Sequence, residues 1–244
     1  MLTAIEKTRL QVSKNTTAKK KAQLGQFFTP ARTARYMAGL FNSNGHKICS
    51  LLDPGAGIGS LSSAFLERCI AGDLTVSKVE ITAFELDELL HTDLAHTITS
   101  YAEQIPIAYE MIGGDFIEEA VNRIQFGNSP GYSHAILNPP YKKINSASRH
   151  RLLLRQAGIE IVNLYSAFVA LTLAMMASGG QIVAIIPRSF CNGPYYRSFR
   201  SFLLERAAIR QIHLFKSRDQ AFKDDNVLQE NIILLLERDG QHLR

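Results

Sequence analysis

The sequence predicts an α/β fold: a doubly wound, mostly parallel, seven-stranded sheet whose last strand runs antiparallel. Short apolar runs bounded by Gly, Pro, Asn or Asp alternate with helical patterns, as in sheets covered by helices on both faces. Only the short segment Lys216–Val227 separates the last two strand candidates. Because a crossover helix does not fit into that segment, we expect the final strand to reverse direction.

Seven strands and five helical patterns follow from this alternation. The strand candidates are Lys47–Asp53, Glu80–Glu85, Tyr109–Gly113, His134–Asn138, Gln181–Pro187, Arg210–Phe215 and Glu230–Glu237. The helical patterns are Leu61–Ala71, Glu88–Glu103, Phe116–Phe126, Glu160–Ser178 and Pro194–Ala208. No repeat or linker interrupts this order, so residues 25–244 are interpreted as one domain. Residues 1–24 are interpreted as a polar N-terminal helical extension.

The composition is that of an ordinary folded chain. Its 244 residues are 46% hydrophobic and 20% charged, which excludes a disordered chain and a collagen-like repeat. The three cysteines are odd in number and far apart, so they predict no disulfide framework and favour a reducing, cytoplasmic setting. The seven histidines show no metal-ligand spacing, so no metal site is predicted. An excess of 27 Lys and Arg over 22 Asp and Glu permits a polyanionic partner.

A glycine-rich loop follows the first strand candidate, in the segment Asp53-Pro54-Gly55-Ala56-Gly57-Ile58-Gly59-Ser60. Glycine permits a tight turn and lets the backbone approach a ligand closely. The spacing does not fit the G-x-G-x-x-G dinucleotide fingerprint, and no Lys-Ser/Thr pair follows, as a P-loop would need. The loop therefore predicts another kind of ligand-binding turn, with a plain strand-to-helix turn as the alternative.

Acidic residues follow the second and third strand candidates, at the edge where open α/β sheets bind ligands. Glu85 ends the second strand, where it can accept hydrogen bonds from both hydroxyls of a ribose. Asp115 and Phe116 follow the third strand, where a carboxylate can accept from an exocyclic amine while a ring stacks on an adenine. Each acid taken singly is more typical of a helix cap. Their shared position at successive strand ends favours a nucleoside site.

The fourth strand candidate ends in Asn138-Pro139-Pro140-Tyr141, at the same edge of the sheet. Two prolines stiffen the chain and hold the Asn138 side chain, the Pro139 carbonyl and the Tyr141 ring in a nearly constant relation. The two carbonyl oxygens can accept both hydrogens of a planar amine and bind its growing positive charge during methyl transfer. Tyr141 offers an aromatic face to a flat substrate. The segment therefore predicts methyl transfer to a conjugated amine, with a rigid turn as the alternative.

These motifs, in this order, resemble those of S-adenosylmethionine-dependent N6-adenine DNA methyltransferases. The segment Gly25-Gln26-Phe27-Phe28-Thr29-Pro30 is similar to the family's additional cofactor motif, and its place ahead of the glycine loop is typical of the γ order. Asn-Pro-Pro-Tyr alone is shared with glutamine and ribosomal RNA methyltransferases, whereas the Gly25–Pro30 motif indicates bacterial restriction–modification enzymes. The resemblance extends from about Gly25 to Glu237 and implies a Rossmann-like, class I methyltransferase catalytic domain at residues 25–244.

The resemblance implies a role for each matching residue. Those expected around the methionine part of S-adenosylmethionine are Thr29, Pro30, Asp53, Gly55 and Gly57. Those expected at its ribose and adenine are Glu85, Asp115 and Phe116. Those expected to receive the target adenine and support catalysis are Asn138, Pro139, Pro140 and Tyr141. Phe222 is expected to sandwich the extruded base against Tyr141, with the nearby Phe215 as the alternative.

A basic segment follows Tyr141. Its charged residues are Lys142, Lys143, Arg149, His150, Arg151 and Arg155. An adenine amine inside stacked DNA is out of reach of an enzyme, so the base must be flipped out. We expect Lys142 and Lys143, with the rest of a mobile basic loop, to contact DNA phosphates. A loop that is merely solvated is the alternative.

The function that the resemblance implies is methyl transfer from S-adenosylmethionine to adenine N6 in double-stranded DNA, as part of a restriction–modification system. No segment has the size or pattern of a target-recognition domain, and the chain ends seven residues after the last strand candidate. We therefore expect a separate target-recognition or endonuclease partner, a missing C-terminal part, or weak specificity. The alternatives are the same chemistry on RNA adenine or protein glutamine, and a catalytically silent cofactor- or DNA-binding module that needs a partner.

Overall fold

The computed structural model describes residues 2–15, 28–128, 130–215 and 230–240. The strands are β1 (Ile48–Pro54), β2 (Lys78–Phe84), β3 (Ile107–Ile112), β4 (Tyr132–Leu137), β5 (Met176–Pro187), β6 (Ala207–Leu214) and β7 (Asn231–Arg238). The α-helices of the described residues are α1 (Leu2–Asn15), α2 (Ala31–Gly39), α3 (Ser60–Ile70), α4 (His91–Thr99), α5 (Phe116–Gln125), α6 (Arg149–Gln156), α7 (Leu164–Met175) and α8 (Arg197–Arg206).

The seven strands form one sheet in the order β3-β2-β1-β4-β5-β7-β6. Strands β1 to β5 pair in parallel, and β7 pairs antiparallel with both β5 and β6. The predicted fold class, with its antiparallel last strand, is therefore confirmed. After β1 the chain builds β2 and β3 on one side of the sheet, and then β4 and β5 on the other. The strand order thus reverses between β1 and β4.

Helices cover both faces of this sheet. Leu51 in β1 and Ile233 in β7 belong to one buried apolar cluster, which also contains side chains from α1 to α4. The adjacent residues Leu52 and Leu234 belong to the other, together with side chains from α5 to α8. Because successive side chains of a strand point to opposite faces, a strand buried on both sides must be apolar throughout. This explains the apolar runs of the inner strands β1, β4, β5 and β7, whereas the edge strands β3 and β6 carry exposed polar residues.

The sequence does not predict helix α6, which occupies part of the expected basic loop. The side-chain oxygen of Ser148 caps its start by accepting from the backbone N–H of Arg151 at 3.4 Å. Arg151 is buried, and its guanidinium donates to the Glu160 carboxylate and to the Ile161 backbone carbonyl. The prediction of a mobile basic loop is therefore wrong for residues 149–156, because Arg151 turns into the protein instead of toward solvent.

Helix α1 packs against the sheet domain and supports the start of α2. Helix α2 is another helix that the sequence does not predict. Leu2 and Ile5 belong to the first apolar cluster. Glu6 accepts from the backbone N–H of Ala31 at 2.9 Å through Oε2, and from the Arg9 guanidinium at 2.8 Å through Oε1. The first amides of a helix have no partner within that helix, and Pro30 offers no side-chain cap. Glu6 therefore supplies the missing cap from another helix.

The described part of the chain can also be searched for membrane-spanning helices and for groups of metal-binding side chains. Within it, no helix combines the length and the apolar character needed to cross a membrane. The same residues contain no group of three His, Cys, Asp or Glu side chains arranged to hold a metal ion.

The buried His134 is expected to make stability depend on pH. Its ring is 1% exposed, packs at 5.3 Å from the rings of Phe41 and Phe65, and leaves Nε2 without a partner among the described residues. Burial lowers the pKa of His134 from 6.5 to about 4. At His134 the unfolded chain takes up a proton at higher pH than the folded chain, so the contribution of this histidine to stability falls as the pH drops below about 6.5. Between about pH 7.5 and about pH 5 His134 alone is expected to lose about 2 kcal/mol, whereas the buried Asp53 carboxyl, whose pKa burial raises to about 7, changes stability in the opposite direction over the same range.

Urea unfolding at these two pH values measures the His134 contribution as the difference in pH dependence between the unchanged protein and His134→Gln. The variant should lose most of the pH dependence that this histidine contributes. His96→Gln is the matched control because His96 is exposed on α4, and it should behave like the unchanged protein. An unaltered pH dependence in His134→Gln would show that His134 is not the titrating group.

Candidate active site

A cavity of about 380 Å³ lies at the carboxyl edge of the sheet. Residues that follow β1, β2, β3 and β4 line it, so it lies where the strand order reverses. The carboxyl ends of parallel strands diverge at such a point and leave a crevice, which is where open α/β sheets bind their ligands. The predicted strand-end residues are therefore brought to one place by the topology.

The loop after β1 forms one wall of this cavity. Gly55, Gly57 and Gly59 have φ angles of 78°, 59° and 83°, which glycine adopts without the steric penalty of a side chain. The backbone N–H groups of Gly55 and Ala56 both donate to the Phe84 carbonyl at 2.8 Å, which ties the loop to the end of β2. A side chain at position 57 would lie 3.4 Å from the Phe28 ring. The glycines therefore allow a loop that is both tightly turned and closely packed.

Glu85 lines the cavity at the end of β2 and is 6% exposed. Its Oε2 accepts from the backbone N–H of Gly57 at 2.7 Å, and its Oε1 accepts from that of Asp87 at 2.7 Å. Burial raises the pKa of the Glu85 carboxyl, although these two backbone amides oppose the shift. Each oxygen accepts one of these N–H groups and retains capacity for a further donor.

Asp115 lines the cavity after β3 and also caps α5. Its Oδ1 accepts from the backbone N–H groups of Ile117 and Glu118 at 2.9 and 3.2 Å. Its Oδ2 lies 3.0 Å from Nε2 of His150 on α6. Burial opposes the negative charge, but these hydrogen bonds outweigh it and lower the pKa of Asp115. The predicted adenine acceptor is therefore also a helix cap, so the two interpretations of this acid are compatible.

The aromatic part of the cavity is larger than the sequence indicates. The Phe116 ring lies 5.0 Å from the Phe84 ring and 4.7 Å from the Phe168 ring, and all three residues line the cavity. Phe28 lines it as well. Phe28 could have been inferred from its place in the Gly25–Pro30 motif, whereas Phe168 lies on a helix that is almost entirely buried and carries no distinguishing pattern.

Asn138 lines the cavity after β4, held from both ends of its amide. Nδ2 donates to Oγ1 of Thr29 at 3.1 Å, and the Tyr141 hydroxyl lies 3.1 Å from Oδ1. The same hydroxyl lies 3.1 Å from the Ile185 backbone carbonyl, so its single proton is shared between two acceptors. Burial raises the pKa of Tyr141, which keeps this donor neutral. Thr29 and Pro140 also line the cavity.

Some predicted site residues have no place in the cavity wall formed by the described residues. They are Pro30, Asp53, Pro139 and Tyr141. Asp53 is fully buried below the glycine loop, where Oδ2 accepts from the Ser62 hydroxyl at 2.6 Å. Burial raises the pKa of Asp53 to about 7, against the effect of this hydrogen bond. The roles expected for these four residues stay predictions.

The segment after Tyr141 forms another part of the cavity wall. Lys142 and Lys143 are exposed and line the cavity. Arg149, in contrast, pairs with Glu118 at 3.0 Å. The charge in this segment is therefore divided between two lysines at the cavity and arginines that pair with acidic side chains.

Two parts of the predicted site lie outside the described residues. They are Phe222 and the first half of the Gly25–Pro30 motif, residues 25–27. Phe215, the alternative to Phe222, is described and packs against the apolar cluster on the α1–α4 side of the sheet.

The sheet order, the antiparallel seventh strand and the cavity at the strand reversal define the fold of class I S-adenosylmethionine-dependent methyltransferases. A solved structure with this fold, a class I protein from Listeria monocytogenes, superposes with a TM-score of 0.75 at 16% identity, over 100% of this chain and 70% of that one. The chain belongs to the Eco57I restriction-modification methylase family, which it matches over residues 4–222.

Two curated relatives are similar to this chain in sequence. Type II methyltransferase M.BsuBI of Bacillus subtilis is 51% identical over 244 residues, which cover 98% of this chain and 48% of the relative. Type II methyltransferase M.PstI of Providencia stuartii is 43% identical over 221 residues, which cover 87% of this chain and 43% of the relative. The chain thus spans about half the length of the curated relatives it matches.

Proposed function

We propose that this chain transfers a methyl group from S-adenosylmethionine to the N6 amine of a flipped-out adenine in DNA, as the modification part of a restriction–modification system. The observation that carries this proposal is that Asn138 lines the same cavity as Gly55 and Glu85. An amide acceptor and a nucleoside-binding edge at one site are what methyl transfer to a base amine requires. The names of both relatives, which are Type II methyltransferases, support the same class of reaction.

The residues present fit S-adenosylmethionine. The Glu85 carboxylate faces the cavity with lone pairs available for ribose hydroxyls. Oδ2 of Asp115 can accept from the adenine amine, and the Phe116 ring offers an apolar surface beside it. When bound, the cofactor supplies an electrophilic methyl group on a positively charged sulfur. The chain's own residues orient this group and exclude water from it.

Asn138 supplies the acceptor for the target amine. Nδ2 donates to Thr29 and Oδ1 accepts from the Tyr141 hydroxyl, so Oδ1 is the acceptor atom of this amide, and a carbonyl oxygen has two lone pairs. A hydrogen bond from the amine to Oδ1 strengthens as the nitrogen gains positive charge, so it stabilises the transition state more than the ground state. In this proposal the Pro139 carbonyl is the second acceptor, and Tyr141 stacks on the base.

DNA binding is assigned to the lysine-bearing wall of the cavity. An extruded base costs a few kcal/mol of unstacking, which contacts to the flanking phosphates help to offset. Lys142 and Lys143 lie where such contacts are needed. Because the relatives are about twice as long as the matched segment, a further element that reads the target sequence, in the same or another polypeptide, belongs to this proposal. The reaction is placed in the cytoplasm, in agreement with the free thiols of Cys49, Cys69 and Cys191.

Glu85→Ala is expected to weaken cofactor affinity. The variant loses a buried carboxylate that would accept from ribose, and hydrogen bonds to charged groups contribute about 1.5–3 kcal/mol, so the dissociation constant of S-adenosylhomocysteine should rise by about 10–100-fold. Isothermal titration calorimetry measures this change. Glu80→Ala is the matched control, since Glu80 lies on the same strand with its side chain 47% exposed. An unchanged dissociation constant in Glu85→Ala would remove Glu85 from the ribose site.

The reaction class is tested with purified protein, radiolabelled S-adenosylmethionine and separate duplex DNA, RNA and protein substrates. Label that elutes as N6-methyladenosine after digestion of the DNA is the expected result. Label in RNA or protein alone would contradict the DNA assignment and support one of the other acceptors. Cofactor binding without any transfer would support the silent binding module instead.

A further inference from the structure

The Asp115–His150 contact joins two walls of the cavity that are 35 residues apart in the chain. Asp115 follows β3, while His150 lies in the first turn of α6, which follows the two lysines. Both side chains are partly buried, with 28% and 31% exposed, and both residues line the cavity. The contact therefore lies at the adenine end of the proposed cofactor site rather than on the outer surface.

The surroundings of His150 favour its role as a hydrogen-bond donor. The hydrogen bond to Asp115 raises the pKa of His150 although burial opposes it, with the charge of Glu118 adding to the rise and that of Arg149 acting against it. The ring can donate from Nε2 to Oδ2 of Asp115 when it is positively charged, and also when it is neutral with its proton on Nε2. A carboxylate oxygen has two lone pairs, so Oδ2 can accept from His150 and from a ligand amine at the same time.

The Asp115 carboxylate is oriented by three donors. Two backbone amides donate to Oδ1, and a carboxylate held at one oxygen can still turn about its Cβ–Cγ bond. The third donor, His150, is the one that holds Oδ2 at the cavity. Preorganising an acceptor in this way reduces the entropy that ligand binding would otherwise lose.

We infer that His150 is a positioning residue for the cofactor's adenine, because it holds Oδ2 of Asp115 where the exocyclic amine binds. This inference rests on the proposed function, which supplies the cofactor. The inference adds His150, on α6, to the proposed adenine site. This residue connects the adenine end of the cavity to the wall that carries Lys142 and Lys143.

The test measures dissociation constants for two probes: S-adenosylhomocysteine, and its analogue in which purine replaces adenine and the exocyclic amine is absent. His150→Ala should weaken binding of the first probe by about tenfold, the size of one charge-assisted hydrogen bond, and leave that of the second nearly unchanged. His150→Gln should recover most of the loss because its amide can donate to Asp115. His96→Ala, on α4, is the control and should match the unchanged protein with both probes.

Each outcome of this binding experiment tests a different claim. Equal losses for both probes in His150→Ala would show that His150 supports the cavity generally and does not act through the amine. Tighter binding of S-adenosylhomocysteine in His150→Ala would show that His150 competes with the adenine for Asp115. Either result overturns the inference while the proposed function stands. If the unchanged protein binds neither probe, the proposed cofactor itself is wrong.

Discussion

Asn138→Ala is expected to reduce the rate of methyl transfer by about 10²–10³-fold, the range measured when one preorganised electrostatic group is removed from an active site. The reason is that, in the proposed mechanism, Oδ1 of Asn138 accepts from the target amine most strongly when positive charge develops on the nitrogen. Cofactor affinity should stay nearly unchanged, because ribose and adenine are proposed to be held by Glu85 and Asp115, at the ends of β2 and β3, and not by Asn138. Single-turnover methylation of duplex DNA measures the rate, and calorimetry with S-adenosylhomocysteine measures the affinity.

Asn122→Ala serves as the control for this experiment, since Asn122 is exposed on α5. It removes an asparagine of equal size and should leave both quantities unchanged. Full activity in Asn138→Ala would overturn the acceptor geometry. A parallel loss of cofactor affinity would show instead that Asn138 supports the cavity through Thr29, to which it is hydrogen-bonded.

Gly59→Ala is expected to lower the free energy of unfolding by about 3 kcal/mol, the sum of backbone strain and overpacking. Gly59 has a φ of 83°, and an added Cβ would lie 2.9 Å from Cγ2 of Thr97 and 3.0 Å from Cδ1 of Leu94. Both side chains are buried on α4, so they have little room to move. The substitution therefore forces the glycine loop and α4 apart. Chemical denaturation measures the loss.

Gly72→Ala separates the two contributions. Gly72 has nearly the same φ, 80°, but no atom lies within 4 Å of the position of its Cβ. It should therefore show only the strain of a left-handed backbone, about 1–2 kcal/mol. Equal losses in both variants would mean that α4 yields to the added methyl group, and that the close packing below the loop contributes little to stability.

The sequence locates the carboxyl ends of the strands better than their amino ends. The predicted ends at Asp53, Glu85 and Pro187 lie within one residue of the ends of β1, β2 and β5. A polar residue or a proline terminates each apolar run there, so the boundary is visible. The start of β5 is not visible, because it lies at Met176, ahead of Gly179 and Gly180, which are typical of a turn.

Helix α6 shows where a local pattern misleads. Four basic residues within seven positions indicate an exposed loop, whereas one of them, Arg151, is buried against Glu160. A charge that is buried in an ion pair and a charge in solvent have the same sequence signature. The difference depends on whether a partner lies close in space, and in this case the partner, Glu160, follows α6.

The chemical character of the site can be read from local sequence, because strand ends, glycines and prolines act through the backbone of their immediate neighbours. Local sequence does not show which side chains come into contact. Asn138 and Thr29 are 109 residues apart, Asp115 and His150 are 35, and Gly57 and Glu85 are 28. Such pairs form only after the parallel sheet has brought its strand ends together. Their hydrogen bonds, and the orientation of the Asn138 amide, are therefore consequences of packing between distant segments.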